Sequence, residues 1–213
     1  PKVRIGICGH PADYFINGIE PIKLAKILAG DTKPFMRLIG APYWDYFSGY
    51  PDRLSSVIEL ERRQTEYLKN SDIEFFVEGD TYPRPRWTCP SANLECFDIA
   101  MRADGKAKGI LKYMIDYVSL AGYETGYIDN HLDNQKLYEK VHEHFSKKTA
   151  VGARIYSFPE KVPESDPRYN KGCFTSSIIP TEGYVLSQLG IPTTYEGEGI
   201  AGVAFGENAR WLT

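Results

Sequence analysis

The chain has 213 residues, 25% charged and 42% hydrophobic, an ordinary globular composition for one or two domains. Its net charge of −3 lacks the basic excess of a nucleic-acid binder, and no run of about 18 apolar residues is present to cross a membrane. Aromatic residues make up 13%, many of them beside Pro and Gly, and the chain begins at Pro1 on a strand-like run, which reads as a piece of a longer protein.

Four short apolar runs recur along the first two thirds, at residues 3–8, 35–40, 73–78 and 110–116. Each is too short for most helices and is rich in β-branched or aromatic residues, so each predicts a strand. Amphipathic stripes between and after them predict helices over 19–29, 51–69, 91–103 and 133–147. Gly30 and Asp104-Gly105 mark two of the helix ends, and lysines close the last helix as its dipole prefers. Strand–helix alternation at this spacing predicts a parallel sheet with external helices.

Four units are half of a (β/α)8 barrel, which needs about 250 residues. Residues 1–149 therefore read as the C-terminal half of a TIM barrel, βα units five to eight. Residues 150–213 read as the start of a second α/β domain: a strand over 151–158, a Pro-rich loop over 159–172, a helix over 181–189 closed by Gly190, and strands over 191–195 and 202–205.

Barrels work at the loops following their strands. Here those loops hold His10 after the first strand and Tyr43 and Trp44 after the second. Asp80, Tyr82, Arg84, Arg86 and Trp87 follow the third, and Asp116 stands at the end of the fourth. Tyr and Pro also stiffen loops, but four such loops at one end predict a binding face. Flat aromatic rings against sugar C–H faces, with charged groups for the hydroxyls, suit a carbohydrate.

Glu78 is the leading carboxylate. Strand alternation puts it on one face with Glu74 and Phe76, at a strand end, where Arg37, Arg84 or Arg86 can hold it ionised. A surface ion pair is the plainer alternative. Arg4, Arg37, Glu74 and Lys112 occupy early strand positions, which predicts a buried ionic layer pairing Arg37 or Lys112 with Glu74. A barrel-strand lysine such as Lys112 also opens Schiff-base chemistry.

Cys8, Cys89, Cys96 and Cys173 lack CxxC spacing, which predicts free thiols in a reducing, cytoplasmic setting with no zinc. His142 and His144 lack the spacing of a metal helix, and Gly197, Gly199, Gly202 and Gly206 form no phosphate loop, so neither metal nor cofactor is expected.

The run IEFFVEGDTYPRPR at 73–86, with GAPYW before it and GILKYMIDY after it, resembles the second half of a barrel glycoside hydrolase of clan A. It is most similar to β-galactosidases whose barrel precedes a trimerisation domain akin to class I glutamine amidotransferases. The segment VLSQLGIPTT at 185–194 resembles a helix–strand passage of that domain. The similarity is one of arrangement and short motifs. It implies retaining hydrolysis of a glycosidic bond, a carbohydrate substrate and association of copies through the second domain. The nucleophile of the family follows strand seven and the acid/base strand four. If the strands here are five to eight, Glu78 takes the nucleophile position and the acid/base lies ahead of Pro1. Two other readings stay open: a carbohydrate-binding barrel without the acid pair, and a lyase or aldolase using Lys112.

Overall fold

The computed structural model describes residues 3–39, 53–79, 91–114, 126–156, 158–161, 181–196 and 202–203. Four strands, β1 (Ile7–Cys8), β2 (Phe35–Arg37), β3 (Glu74–Gly79) and β4 (Gly109–Lys112), form one parallel sheet in the order β1-β2-β3-β4. Neighbours in sequence are thus neighbours in space, each joined through helix, as parallel pairs require. The strand expected over 3–8 shortens to two residues. Its natural partners precede Phe35, and there the Arg4 guanidinium takes the Lys33 carbonyl at 2.9 Å. Val3 and Ile5 stay exposed.

Register divides the sheet into two faces. Met36 pairs with Ile7 and Phe75, and Val77 with Ile110. Ile7, Met36, Phe75 and Val77 are buried in the core with Ala25, Val57, Phe97 and Met101 from the helices. Those helix residues belong to α2 (Pro21–Ala29), α3 (Arg53–Leu68) and α4 (Ser91–Asp104), which pack on this one face. The opposite face carries Cys8, Phe35, Arg37, Glu74, Phe76, Glu78 and Leu111. Phe35 and Phe76 meet edge to face there, 6.2 Å between centroids.

Local chemistry sets the helix ends. Glu20 caps α2 by accepting from the Ile22 and Lys23 amides, with Pro21 in the first turn. Gly105 ends α4 at φ +72°, where a Cβ would also meet the Ser146 backbone. A short helix that sequence patterning missed, α1 (Pro11–Ile16), begins where a loop was expected. It is too short for a periodic stripe, but Pro11 opens it and His10 caps it. The helix expected over 133–147 is α6 (Gln135–Phe145), and a further helix that was not expected, α5 (Gly126–Asp133), precedes it; Asn134 between them donates its side chain to Glu95 at 2.9 Å.

A second parallel sheet, in the order β6-β5-β7, combines β5 (Ala153–Ile155), β6 (Thr193–Thr194) and β7 (Gly202–Val203). Helix α7 (Thr181–Gln188) lies between β5 and β6 in sequence and packs on α3. The join to α3 is polar and buried. Arg62 donates to the Thr193 carbonyl at 2.8 Å and pairs with Glu59 at 2.6 Å and Asp104 at 3.2 Å. The Tyr195 hydroxyl donates to Glu59 at 3.1 Å. Removing one partner of such a network strands the others in low dielectric. Arg62→Ala is therefore expected to lower stability by about 3 kcal/mol, read by urea denaturation, with faster amide exchange at 193–195. A loss under about 0.5 kcal/mol would show that the join carries little.

Candidate functional site

The C-terminal ends of β1, β2 and β3 bring together Cys8, Arg37 and Glu78. Register aligns Cys8 with Arg37, and β3 lies against β2, so all three side chains project from the face opposite the helices. Glu78 is buried, at 5% exposure, and its carboxylate is ion-paired with the Arg37 guanidinium. The other guanidinium edge faces Cys8, with Nη2 and Nε donating to Sγ at 2.8 and 3.1 Å. Burial works against the Arg37 charge, yet the Cys8 sulfur and the Glu78 carboxylate outweigh it and hold the guanidinium above its ordinary value. Arg37 thus fixes where Glu78 points and sets a cation against its carboxylate. A carboxylate held this way can act as a nucleophile or stabilise a developing positive charge.

A second carboxyl stands behind the first. Glu61, on α3, is completely buried. Beside it, Gln64 donates to the Ile39 carbonyl at 2.8 Å, just past the end of β2. The Glu78 backbone hydrogen-bonds to Glu61. Helix side chains thus take over where β2 and β3 part. Burial raises the Glu61 carboxyl well above its ordinary value of 4.5, and the negative charge of Glu78 adds to the effect.

That shift has a signed consequence. The folded state holds the Glu61 proton more tightly than the unfolded chain. Its contribution to stability is whole below pH 4.5 and is lost as pH rises through the raised value. Glu61→Gln keeps the shape and removes the titration. The variant is expected to gain stability over wild type as pH rises from 5 to 9, read by melting temperature across that range. Parallel curves would rule this out.

His10 lies at the end of β1 as expected but is 2% exposed, and its Nδ1 accepts the Ala12 amide at 3.1 Å. Burial, and secondly the nearby Arg63 charge, lower it to about 3, so it is neutral at pH 7. Its role here is to cap α1.

The expected ionic layer is resolved differently. Glu74 pairs with Arg4 at 2.8 Å and Lys33 at 3.2 Å, not with Arg37 or Lys112, because Arg37 is committed one pleat further on to Glu78. Lys112 is aligned with Gly79 and so faces the helices, away from Glu78. There it is ion-paired with Glu95 and with Asp98 at 2.9 Å, and it lies 3.1 Å from both the His131 Nδ1 and the Tyr138 hydroxyl. Burial opposes the Glu95 charge, but hydrogen bonds from Lys112, Tyr138 and Asn134 lower its pKa below the ordinary value. Patterning passed over Glu95 and Asp98 as polar faces of an amphipathic helix. Their spacing, one turn apart on the stripe that also holds Met101, was the available signal.

Tyr43, Trp44, Asp80, Tyr82, Arg84, Arg86, Trp87 and Asp116 lie outside the described residues. So do Cys89 and Cys173, whereas Cys8 and Cys96 are free thiols. Among the described residues no group of three or more His, Cys, Asp or Glu is arranged to hold a metal, and no helix is long and apolar enough to cross a membrane. Comparison with protein-family models, curated proteins and solved structures finds no match to this chain.

Proposed function

We propose that the chain carries the second half of a (β/α)8 barrel, and that Glu78 is the nucleophile of a retaining glycoside hydrolase acting on a β-galactoside-like sugar. The observation that carries this reading is the Glu78–Arg37 pair: a buried carboxylate fixed by a cation at the C-terminal ends of adjacent parallel strands, on the face the helices leave open. The unbroken strand order supports the barrel, because consecutive strands are neighbours around a barrel wall.

In this reading the Glu78 carboxylate attacks the anomeric carbon as the glycosidic C–O bond breaks. Water then cleaves the glycosyl ester with net retention. Arg37 orients Glu78 and keeps it ionised before attack. Asp80, Arg84 and Arg86 stand just beyond β3 in sequence and serve the sugar hydroxyls. Tyr43, Trp44, Tyr82 and Trp87 offer faces to the ring, and Asp116 adds a polar contact after β4.

Aryl glycosides with strongly activated leaving groups test this directly, because their departure needs no proton from an acid. A panel of such sugars is expected to show turnover, with the anomeric configuration retained by NMR. No turnover on any sugar of the panel, or inversion, would overturn the proposal.

A further inference from the structure

We propose that Glu61 and Glu78 form one coupled unit across the end of β3, in which Glu61 keeps a proton while Glu78 keeps the charge that Arg37 balances. Glu61 is then a positioning residue for the proposed hydrolysis, acting through Glu78 and not on the sugar. The role in hydrolysis rests on Glu78 being the reacting carboxylate; the coupling is a property of the protein alone.

Hydrogen-bond accounting supports it. Glu61 Oε1 and Gln64 Oε1 are both buried acceptors with no hydrogen-bond partner among the described residues. The Gln64 amide cannot be turned to relieve this, because its Nε2 is held by the Ile39 carbonyl at 2.8 Å and also lies 3.4 Å from Glu61 Oε2. Two neighbouring side chains thus present a surplus of acceptors and lack a donor. A proton on Glu61 converts one of these acceptors into a donor. An ionised Glu61 would instead bury a second negative charge beside Glu78, which low dielectric strongly disfavours.

Among the described residues, the groups that act on Glu61 are these. Glu78 on β3 raises its proton affinity and Arg37 on β2 lowers it, while Gln64 on the same helix is neutral. The balance therefore depends on the charge of Glu78. Whatever neutralises Glu78, by protonation or by replacement, removes the like charge and leaves Arg37 for Glu61 to balance. Two carboxyls and one guanidinium then keep a net charge of zero in either state. Such a unit protects the site from an uncompensated buried cation at the moment when Glu78 loses its charge.

Infrared titration of the 213-residue chain reads this without any substrate. At pH 7 wild type is expected to show the C=O band of a buried protonated carboxylic acid. Glu61→Gln is expected to lose that band. In Glu78→Gln the band is expected to titrate away at least about one pH unit lower than in wild type, since a like charge nearby is worth that much or more. Persistence of the band in Glu61→Gln would overturn the assignment. An unmoved midpoint in Glu78→Gln would overturn the coupling, because a merely structural Glu61 is indifferent to the charge of Glu78. With an activated aryl glycoside, the kcat/KM profile of Glu61→Gln is expected to lack the pH step that wild type shows at the infrared midpoint. An unchanged step would remove the positioning role. Absence of turnover in wild type would instead overturn the proposed hydrolysis and leave the infrared result to decide the coupling.

Discussion

Glu78→Gln is expected to lower kcat on activated aryl glycosides by about a thousandfold or more, while circular dichroism shows the fold retained. Gln keeps an acceptor for Arg37 and nearly the same volume, so the loss reports chemistry and not collapse. The variant lacks the one property the reaction needs, a full negative charge at the anomeric carbon. Sugar binding to the variant is expected to persist, measured by calorimetry with the unactivated sugar, because in the proposed site the aromatic subsite is independent of that charge. Turnover equal to wild type would refute the nucleophile assignment. Binding without turnover in both proteins would instead favour a carbohydrate-binding barrel.

The second large effect lies on the other side of the sheet. Lys112→Met is expected to cost about 3–5 kcal/mol of stability, read by urea denaturation. The methionine fills the space, but Glu95 and Asp98 lose their common cation in a site where the lysine side chain is 5% exposed. Two buried carboxylates 14 and 17 positions back along the chain then face each other, with Arg102 still paired to Asp98. Combining Lys112→Met with Glu95→Gln is expected to recover part of the loss, since the double variant leaves one buried anion fewer. A loss below about 1 kcal/mol would show that water already reaches the cluster. Borohydride with carbonyl substrates is expected to trap nothing on Lys112, whose amine donates to these carboxylates and faces away from Glu78. Trapping there would revive the Schiff-base alternative.

Much of the fold was legible because its signals are local. Short apolar runs separated by amphipathic stripes at the length of a βα unit yield the parallel sheet, and each of the four strands falls within or beside its expected run. The ends were less legible, because pairing depends on the neighbour. The ladder stops short of residues 3–6, where the Arg4 side chain takes the Lys33 carbonyl, which no reading of 3–8 alone reveals.

The site divides in the same way. Glu78 was legible from alternation along one strand plus its place at the strand end, and Arg37 from the same logic on its neighbour. Glu61 was not. It sits among Glu59, Arg62 and Arg63, and its charge masked its place one turn from Val57 and Thr65, on the apolar stripe of that helix. Packing against the ends of β2 and β3 makes it a buried carboxyl. Charged residues inside an amphipathic pattern are assigned to water by default, and here Glu61, Glu95 and Asp98 are each buried against the chain's own cations or backbone.

The central claim is that Glu78 is the carboxylate that reacts. A 2-deoxy-2-fluoro sugar with an activated leaving group slows the second step of retaining hydrolysis more than the first, so the glycosyl ester accumulates on the nucleophile. Peptide mapping by mass spectrometry after such labelling is expected to place one adduct in the peptide containing residues 73–79, on Glu78, and none in Glu78→Gln. An adduct on any other carboxylate, or one that survives in Glu78→Gln, would contradict it.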